Sequence, residues 1–176
     1  ERIEVLKGAG SALYGTSALG GVVSIFTASP TSTPEYKIRT YGGIYTQPRH
    51  EGWKVFGTLP ENYGIDASYA RKYGPLSVTI SGGTRFDRTY RLFDDTKKWN
   101  LYSKLSYAFT DRTSLMGFVN YATENHANWV YWNSLDSATR PPTGTNLAER
   151  LISDKLAASL ECKHFFNDRV FLLLRS

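Results

Sequence analysis

VLKGAGSALYGTSALGGVVSIFT, residues Val5 to Thr27, is the stretch on which the fold turns. Apolar, β-branched residues lead in and out. Between them stand Gly8, Gly10, Gly15, Gly20 and Gly21, separated mostly by Ser, Ala and Thr. A phosphate cradle needs glycines that let backbone N–H groups approach a pyrophosphate at a helix start. Gly8-Ala9-Gly10 begins such a pattern. However, the third glycine falls at Gly15, no lysine follows it, and no long helical period comes after. Tight turns and a short helical turn over Ser11-Ala12-Leu13-Tyr14, with Ser11 near its N-cap, account for the composition better. Val22 to Thr27 then reads as a strand.

Working outward, the dominant period from Glu35 onward is two. Tyr36, Ile38 and Ile44 alternate with Lys37, Arg39 and Tyr45; Leu76, Val78 and Ile80 with Ser77, Thr79 and Ser81; Leu156, Ala158 and Leu160 with Lys155, Ser159 and Glu161. This is strand alternation with one apolar face. The spacing over 151–163 also fits a helix. Ser114 to Ala122 carries bulky apolar groups on both faces. Short joints at Tyr73-Gly74-Pro75, Thr110-Asp111-Arg112 and Asn167-Asp168-Arg169 alternate with long connections at about 46–62, 87–98 and 123–151. Aromatics precede each short joint: Tyr73, Phe109, and Phe165 with Phe166. An up-and-down meander with unlike ends, apolar on one face and with aromatics by the turns, fits a transmembrane barrel. A β-sandwich alternates too, but predicts shorter loops at both ends.

The remaining composition narrows the function classes. No run approaches the roughly 18 apolar residues of a membrane helix. A net charge of +5 is spread along the chain without a basic block, which argues against nucleic acid. One cysteine, Cys162, rules out an intramolecular disulfide framework and Cys-rich zinc sites. His50, His126 and His164 are far apart, so no metal site is expected. No nucleophile–base constellation appears, and Ser11 lacks a Gly-x-Ser-x-Gly frame. We therefore expect neither an enzyme nor a cofactor. The chain opens on Glu1-Arg2 and stops within a strand-like pattern at Leu172-Leu173-Leu174-Arg175-Ser176, so a piece of a longer protein is expected.

Glu1-Arg2-Ile3-Glu4-Val5-Leu6-Lys7-Gly8, Ser11-Ala12-Leu13-Tyr14-Gly15 and Ala18-Leu19-Gly20-Gly21-Val22-Val23-Ser24-Ile25 closely resemble the end of the plug domain of TonB-dependent outer-membrane receptors. The chain departs from the family wording at Ala9, where proline is usual, and at Ser24, where asparagine is usual. The resemblance covers about the first 27 residues. It implies a membrane all-β fold: the N-terminal part of a large antiparallel transmembrane β-barrel, preceded by the last part of an α/β plug domain. The boundaries expected are 1–29 for the plug end and 30–176 for the barrel, with about seven strands of an incomplete wall.

It also implies active import of a scarce, bulky nutrient across the outer membrane of a Gram-negative bacterium. The cargo is a ferric siderophore or related iron complex, with cobalamin, haem or a glycan as alternatives. The implied partners are the TonB energy-coupling complex (through a contact segment that this sequence lacks), the small-molecule ligand, and outer-membrane lipid with lipopolysaccharide. A passive or structural outer-membrane barrel is the reading from another class, and a soluble carbohydrate-binding module a third. Small residues from Gly8 to Gly21 let plug turns approach a barrel wall, so they read as structural.

Candidate ligand contacts lie in the long connections. His126, Trp129, Tyr131 and Trp132 form an aromatic group that can stack on flat ligands or cations. The same residue types also pack loops and line membrane interfaces. Arg85, Arg88 and Arg91 with Tyr90 suit an anionic chelate. Alternatively, the arginines pair with Asp87, Asp94 and Asp95 or with lipopolysaccharide. Val78, Ile80, Leu156, Ala158 and Leu160 are expected to face lipid, and Thr79, Ser81, Lys155, Ser159 and Glu161 the lumen.

Overall fold

The computed structural model describes residues 2–8, 20–26, 29–128, 133–146 and 149–176. The expected helical turn at Ser11–Tyr14, together with Gly10, Gly15, Trp129, Tyr131 and Trp132, lies outside the described residues. Among those described, secondary structure is almost entirely antiparallel strand.

Strands β1 (Arg2–Lys7) and β2 (Gly21–Phe26) pair antiparallel, from Arg2 opposite Phe26 to Lys7 opposite Gly21. Gly21 sits at φ +134, and a Cβ there would lie 2.6 Å from the Leu6 carbonyl oxygen. Only glycine meets both conditions at the point where the chain re-enters the pair. Ile3, Val5 and Val23 remain exposed on this ribbon. Two strands alone are marginal in water.

The second sheet has seven strands in sequence order: β3 (Glu35–Ile44), β4 (Glu61–Tyr73), β5 (Leu76–Asp87), β6 (Thr96–Thr110), β7 (Thr113–Ala127), β8 (Arg150–Phe165) and β9 (Phe171–Arg175). Each pairs antiparallel with the next. The stretch that also fitted a helix is strand β8, because its alternating apolar residues match those of β7 across the ladder.

Turn chemistry explains the short end. Gly74 takes φ +55 between β4 and β5. The Thr110 hydroxyl accepts the Arg112 N–H at 3.2 Å, and the Asn167 side-chain oxygen accepts the N–H groups of Arg169 and Val170. Such side-chain bonds fold a chain back on itself locally. A register shift between Ala108 and Thr110 leaves Phe109 as a bulge beside its turn.

The long connections are shorter than the sequence suggested: 45–60, 88–95 and 128–149. Polar pairs extend the ladders past the apolar alternation. Lys98 bonds Glu124 at 2.7 Å, and Lys97 sits over the Phe86 ring. Thus His126, expected in a loop, lies on β7 opposite Thr96 and Leu151.

Register sorts the side chains into two faces. Val78, Leu105, Gly117 and Leu160 form one cross-strand row, and Ile80, Ser103, Val119 and Ala158 the next. Thr79, Lys104, Phe118 and Ser159 share a row on the opposite face. The two sets expected to face opposite ways therefore do so. Much of the aliphatic face is bare: Ile38 is 74% and Leu156 71% exposed.

Two aromatic bands bound that face. Near the long loops, Tyr63 meets Phe86 with ring centroids 5.1 Å apart, and Trp99 meets Tyr121 at 4.9 Å. Near the short turns, Tyr36 meets Tyr69 at 5.0 Å and Tyr107 meets Phe109 at 4.8 Å. From Trp99 to Tyr107 the strand rises roughly 27 Å at about 3.4 Å per residue. A tilt of about 40° brings this to roughly 20 Å, close to the apolar height of a barrel wall.

The polar face is held by ion pairs and close fits. Arg39 binds Asp66 at 2.6 Å, and Arg175 binds Glu161. The tip of the Tyr41 ring fills the space beside Gly64 where a Cβ would lie, and that Cβ would also sit 2.7 Å from the Thr84 carbonyl oxygen.

Candidate functional site

Among the described residues the buried ones are Pro60, Asp94, Ala127 and Thr139, and all four sit at the long-loop end. The sheet itself encloses no core. Among the described residues, the place where the chain packs against itself in depth is the rim formed by the three long loops.

That rim is built around polar groups with assigned partners. Thr139, 1% exposed, donates its hydroxyl proton to the Trp53 carbonyl at 2.9 Å, while its own carbonyl accepts the Leu92 N–H at 2.9 Å. The Trp53 indole N–H donates to the Leu135 carbonyl at 2.7 Å. All three loops therefore meet at one threonine. Short 3-10 turns at Glu51–Trp53 and Leu135–Ser137 present these groups. Gly52 packs against the Asp136 carbonyl so closely that a side chain would not fit.

Two aspartates anchor the loop of residues 88–95. Asp87 accepts the Tyr45 hydroxyl at 2.8 Å and the Thr89 N–H at 3.0 Å. Burial and then this hydrogen bond push the Tyr45 phenol pKa up. Asp94 accepts from Arg91 at 2.5 Å and from the Thr89 hydroxyl. Thr89 and Phe93 take φ values of +48 and +58. Non-glycine residues occupy that region at a cost of about 1 kcal/mol or more, so these bonds hold a strained backbone in place.

Asp95 ties the same loop to strand β8. Arg150 grips its carboxylate with two nitrogens, at 3.0 and 3.1 Å, and also donates to the Asn125 side chain. The Arg150 hydrogen bond holds the Asp95 carboxyl below its ordinary pKa, against partial burial, which acts the other way.

The arginines named from the sequence do not form one cluster. Arg85 pairs with Asp87 at 3.1 Å, and Arg91 with Asp94. Arg88 donates its backbone N–H to Glu61 and lines a crevice with Phe86 and Lys97. Tyr90 is exposed, its ring 6.3 Å from that of Tyr45. His126 bonds the Ala127 carbonyl at 2.8 Å through Nδ1. Among the described residues, no group of three or more His, Cys, Asp or Glu side chains is placed to hold a metal.

Sequence reasoning missed Trp53, Thr139, Asn125 and Arg150. Arg150 opens strand β8 and Thr139 sits in a polar loop, so no local pattern marks either. Trp53 carried a signal: a large aromatic in an otherwise polar connection needs somewhere to pack.

An up-and-down antiparallel sheet, bare and aliphatic on one face, polar on the other and capped by packed loops at one end only, is a stretch of β-barrel wall. Over 115 residues, 65% of its length, the chain is 29% identical to the Ferrioxamine B receptor of Salmonella typhimurium strain SL1344. It is equally similar to the Ferrioxamine B receptor of strain LT2. The chain spans about 15% of the length of these relatives. No family model matches the chain, and no solved structure matches it. The relatives are receptors, not enzymes.

Proposed function

We propose that the chain is part of a TonB-dependent receptor that imports an iron complex, most simply a ferric siderophore of the ferrioxamine class, across a Gram-negative outer membrane. Residues 1–29 are the end of the plug, and residues 30–176 are wall. The aliphatic face meets lipid, the polar face lines the lumen, and the loop rim is external. The carrying observation is the aliphatic band between two aromatic bands on one face of a sheet whose other face is charged. In water this surface would be far larger than the few hundred Å² of apolar patch that a soluble monomer tolerates. The similarity to ferrioxamine B receptors supports the choice of cargo.

Ligand capture falls to the rim and to the residues below it. Arg85 stands at the top of the polar face, Tyr90 in the loop of residues 88–95 and His126 near the end of β7, and the sequence adds the aromatic group of Trp129, Tyr131 and Trp132. The glycine-rich connection Gly8–Gly21 serves the plug turn.

The test is uptake of radioiron-labelled ferrioxamine B by cells that lack their own receptors for it and express the full-length protein, with and without a functional TonB complex. Uptake that requires TonB is expected. TonB-independent leakage of small sugars would replace this reading with a passive barrel. Growth on haem or cobalamin instead would move the cargo to another ligand of the same transport class.

A further inference from the structure

We propose that residues 30–34 form a strap that the wall holds fast, with Arg71 as the positioning residue that keeps it seated. Plug displacement during import then ends at Pro30 and is not passed into strand β3. This rests on the reading of residues 1–29 as plug end and 30–176 as wall.

The segment lies between β2 and β3 and is tied to a third strand. The Thr31 carbonyl accepts the backbone N–H of Lys72, on β4, at 2.7 Å. The Ser32 carbonyl accepts Arg71 Nε at 3.3 Å. The Thr31 hydroxyl donates to the Thr33 carbonyl at 3.0 Å, which closes the segment on itself. Two successive residues of β4 thus hold two successive carbonyls of the segment. Pro30 and Pro34 bracket them. Proline has a fixed φ and no N–H to give to a ladder. Regular pairing accordingly starts at Glu35, opposite Ala70, and the segment before it is held through its carbonyls.

Arg71 is itself braced. Its guanidinium carbon stands 4.6 Å from the centre of the Tyr73 ring. The Tyr73 hydroxyl is hydrogen-bonded to that of Tyr69, and the Tyr69 ring packs on Tyr36 of β3 at 5.0 Å. A planar guanidinium stacked on a ring is pre-organised, so little freedom is lost when it grips the Ser32 carbonyl. One side chain therefore joins the strap to both β3 and β4.

A bulky complex passes a filled lumen only if the plug shifts. Along the backbone from the plug, Glu35 is the first residue of the wall ladder, and a ladder pulled from its end opens one pair at a time. With the strap seated, the pull meets β4 before it reaches Glu35. Once released, residues 30–34 would add roughly 17 Å of reach at about 3.4 Å per residue, and the pull would fall on the pair Glu35 and Ala70.

The experiment uses the full-length receptor in cells, in a background with Cys162→Ser and no other cysteine. A single Thr33→Cys or Val23→Cys is labelled with a small maleimide in the presence of ferrioxamine B, with and without a functional TonB complex. Import should raise labelling at Val23→Cys, on the plug side of the strap, and leave Thr33→Cys unchanged. Adding Arg71→Ala should make Thr33→Cys label about tenfold faster during TonB-dependent import, the opening that loss of one charge-assisted hydrogen bond allows. A TonB-dependent rise at Thr33→Cys with Arg71 in place would show the strap travelling with the plug and would overturn the proposal without any Arg71 variant. An unchanged rate in Arg71→Ala would overturn it too, as would a rise that is equal with and without TonB, which marks mere loosening. If import proceeds and any of these results is found, or if Val23→Cys does not respond, only the strap falls. If TonB-dependent import is itself absent, the transport reading falls and the strap with it.

Discussion

Ala158→Arg in the full-length receptor tests the orientation of the wall directly. Ala158 lies on the aliphatic face between Leu156 and Leu160, opposite Val119. Leu156 is level with Tyr121 of the loop-end band, so Ala158 sits roughly 7 Å along the strand from that band. Cys162, opposite Leu115, is level with Tyr107 of the other band, roughly 13 Å away. The position is thus slightly to the loop side of the centre. A guanidinium at the midplane of a barrel wall costs about 2–4 kcal/mol. An arginine stem extends far enough to carry its charge most of the way to the nearer band, so the lower end of that range applies. About 2 kcal/mol lowers the folding equilibrium roughly 30-fold. Ser159→Arg, one residue on, places the same charge on the polar face beside Phe118 and should cost under about 1 kcal/mol. The assay is reversible urea unfolding of the receptor in lipid vesicles, followed by heat-modifiable mobility. If Ser159→Arg costs 2 kcal/mol or more and Ala158→Arg nothing, the faces are inverted and the membrane assignment fails.

Arg150→Ala removes a bidentate partner from a carboxylate that is only 29% exposed. It should cost about 1–2 kcal/mol and open residues 128–149 to hydrogen exchange. Because Asp95 titrates below its ordinary value when folded, its pairing stabilises the loops at all pH values above the unfolded carboxyl value near 3.9. That protection is lost as pH falls through the lower folded value, and Arg150→Ala should abolish this acid step. Thr139→Val leaves the Trp53 carbonyl without its buried donor and should cost about 1–2 kcal/mol. Thermal unfolding reads the loss, and a shift in Trp53 fluorescence reports the loosened loop.

Period-two alternation made most of the wall legible. It identified strands β3 to β6, the two faces and the end at which each connection falls, because a half-buried strand writes its environment into every second residue. Strand β7, apolar on both faces over Ser114 to Ala122, and strand β8, whose spacing also fitted a helix, were less plain. Strand ends were less legible. Thr96, Lys97, Lys98, Glu124, Asn125 and His126 are all polar, so the alternation fades while the ladder continues on ion pairs and ring contacts. The rim was hardly legible at all. Its bonds join Trp53 to Thr139 and Asp95 to Arg150 across long stretches of chain, and no local pattern encodes such a meeting. The arginines of 85–91 were visible as a group, but their division among Asp87, Asp94 and an open crevice depends on how the loop folds.

The burial confined to the loop rim has a consequence for how the wall finds its alignment. A strand that slips by two residues keeps apolar side chains on one face and polar ones on the other, so lipid and lumen cannot tell the slipped ladder from the correct one. The slip does move one hairpin past its neighbour by roughly 7 Å. Thr139 would then miss both Trp53 and Leu92, and Arg150 would miss Asp95. The rim thus reads the one error that alternation is blind to. Three loops closing on a single threonine act as a gauge that only the correctly seated hairpins satisfy.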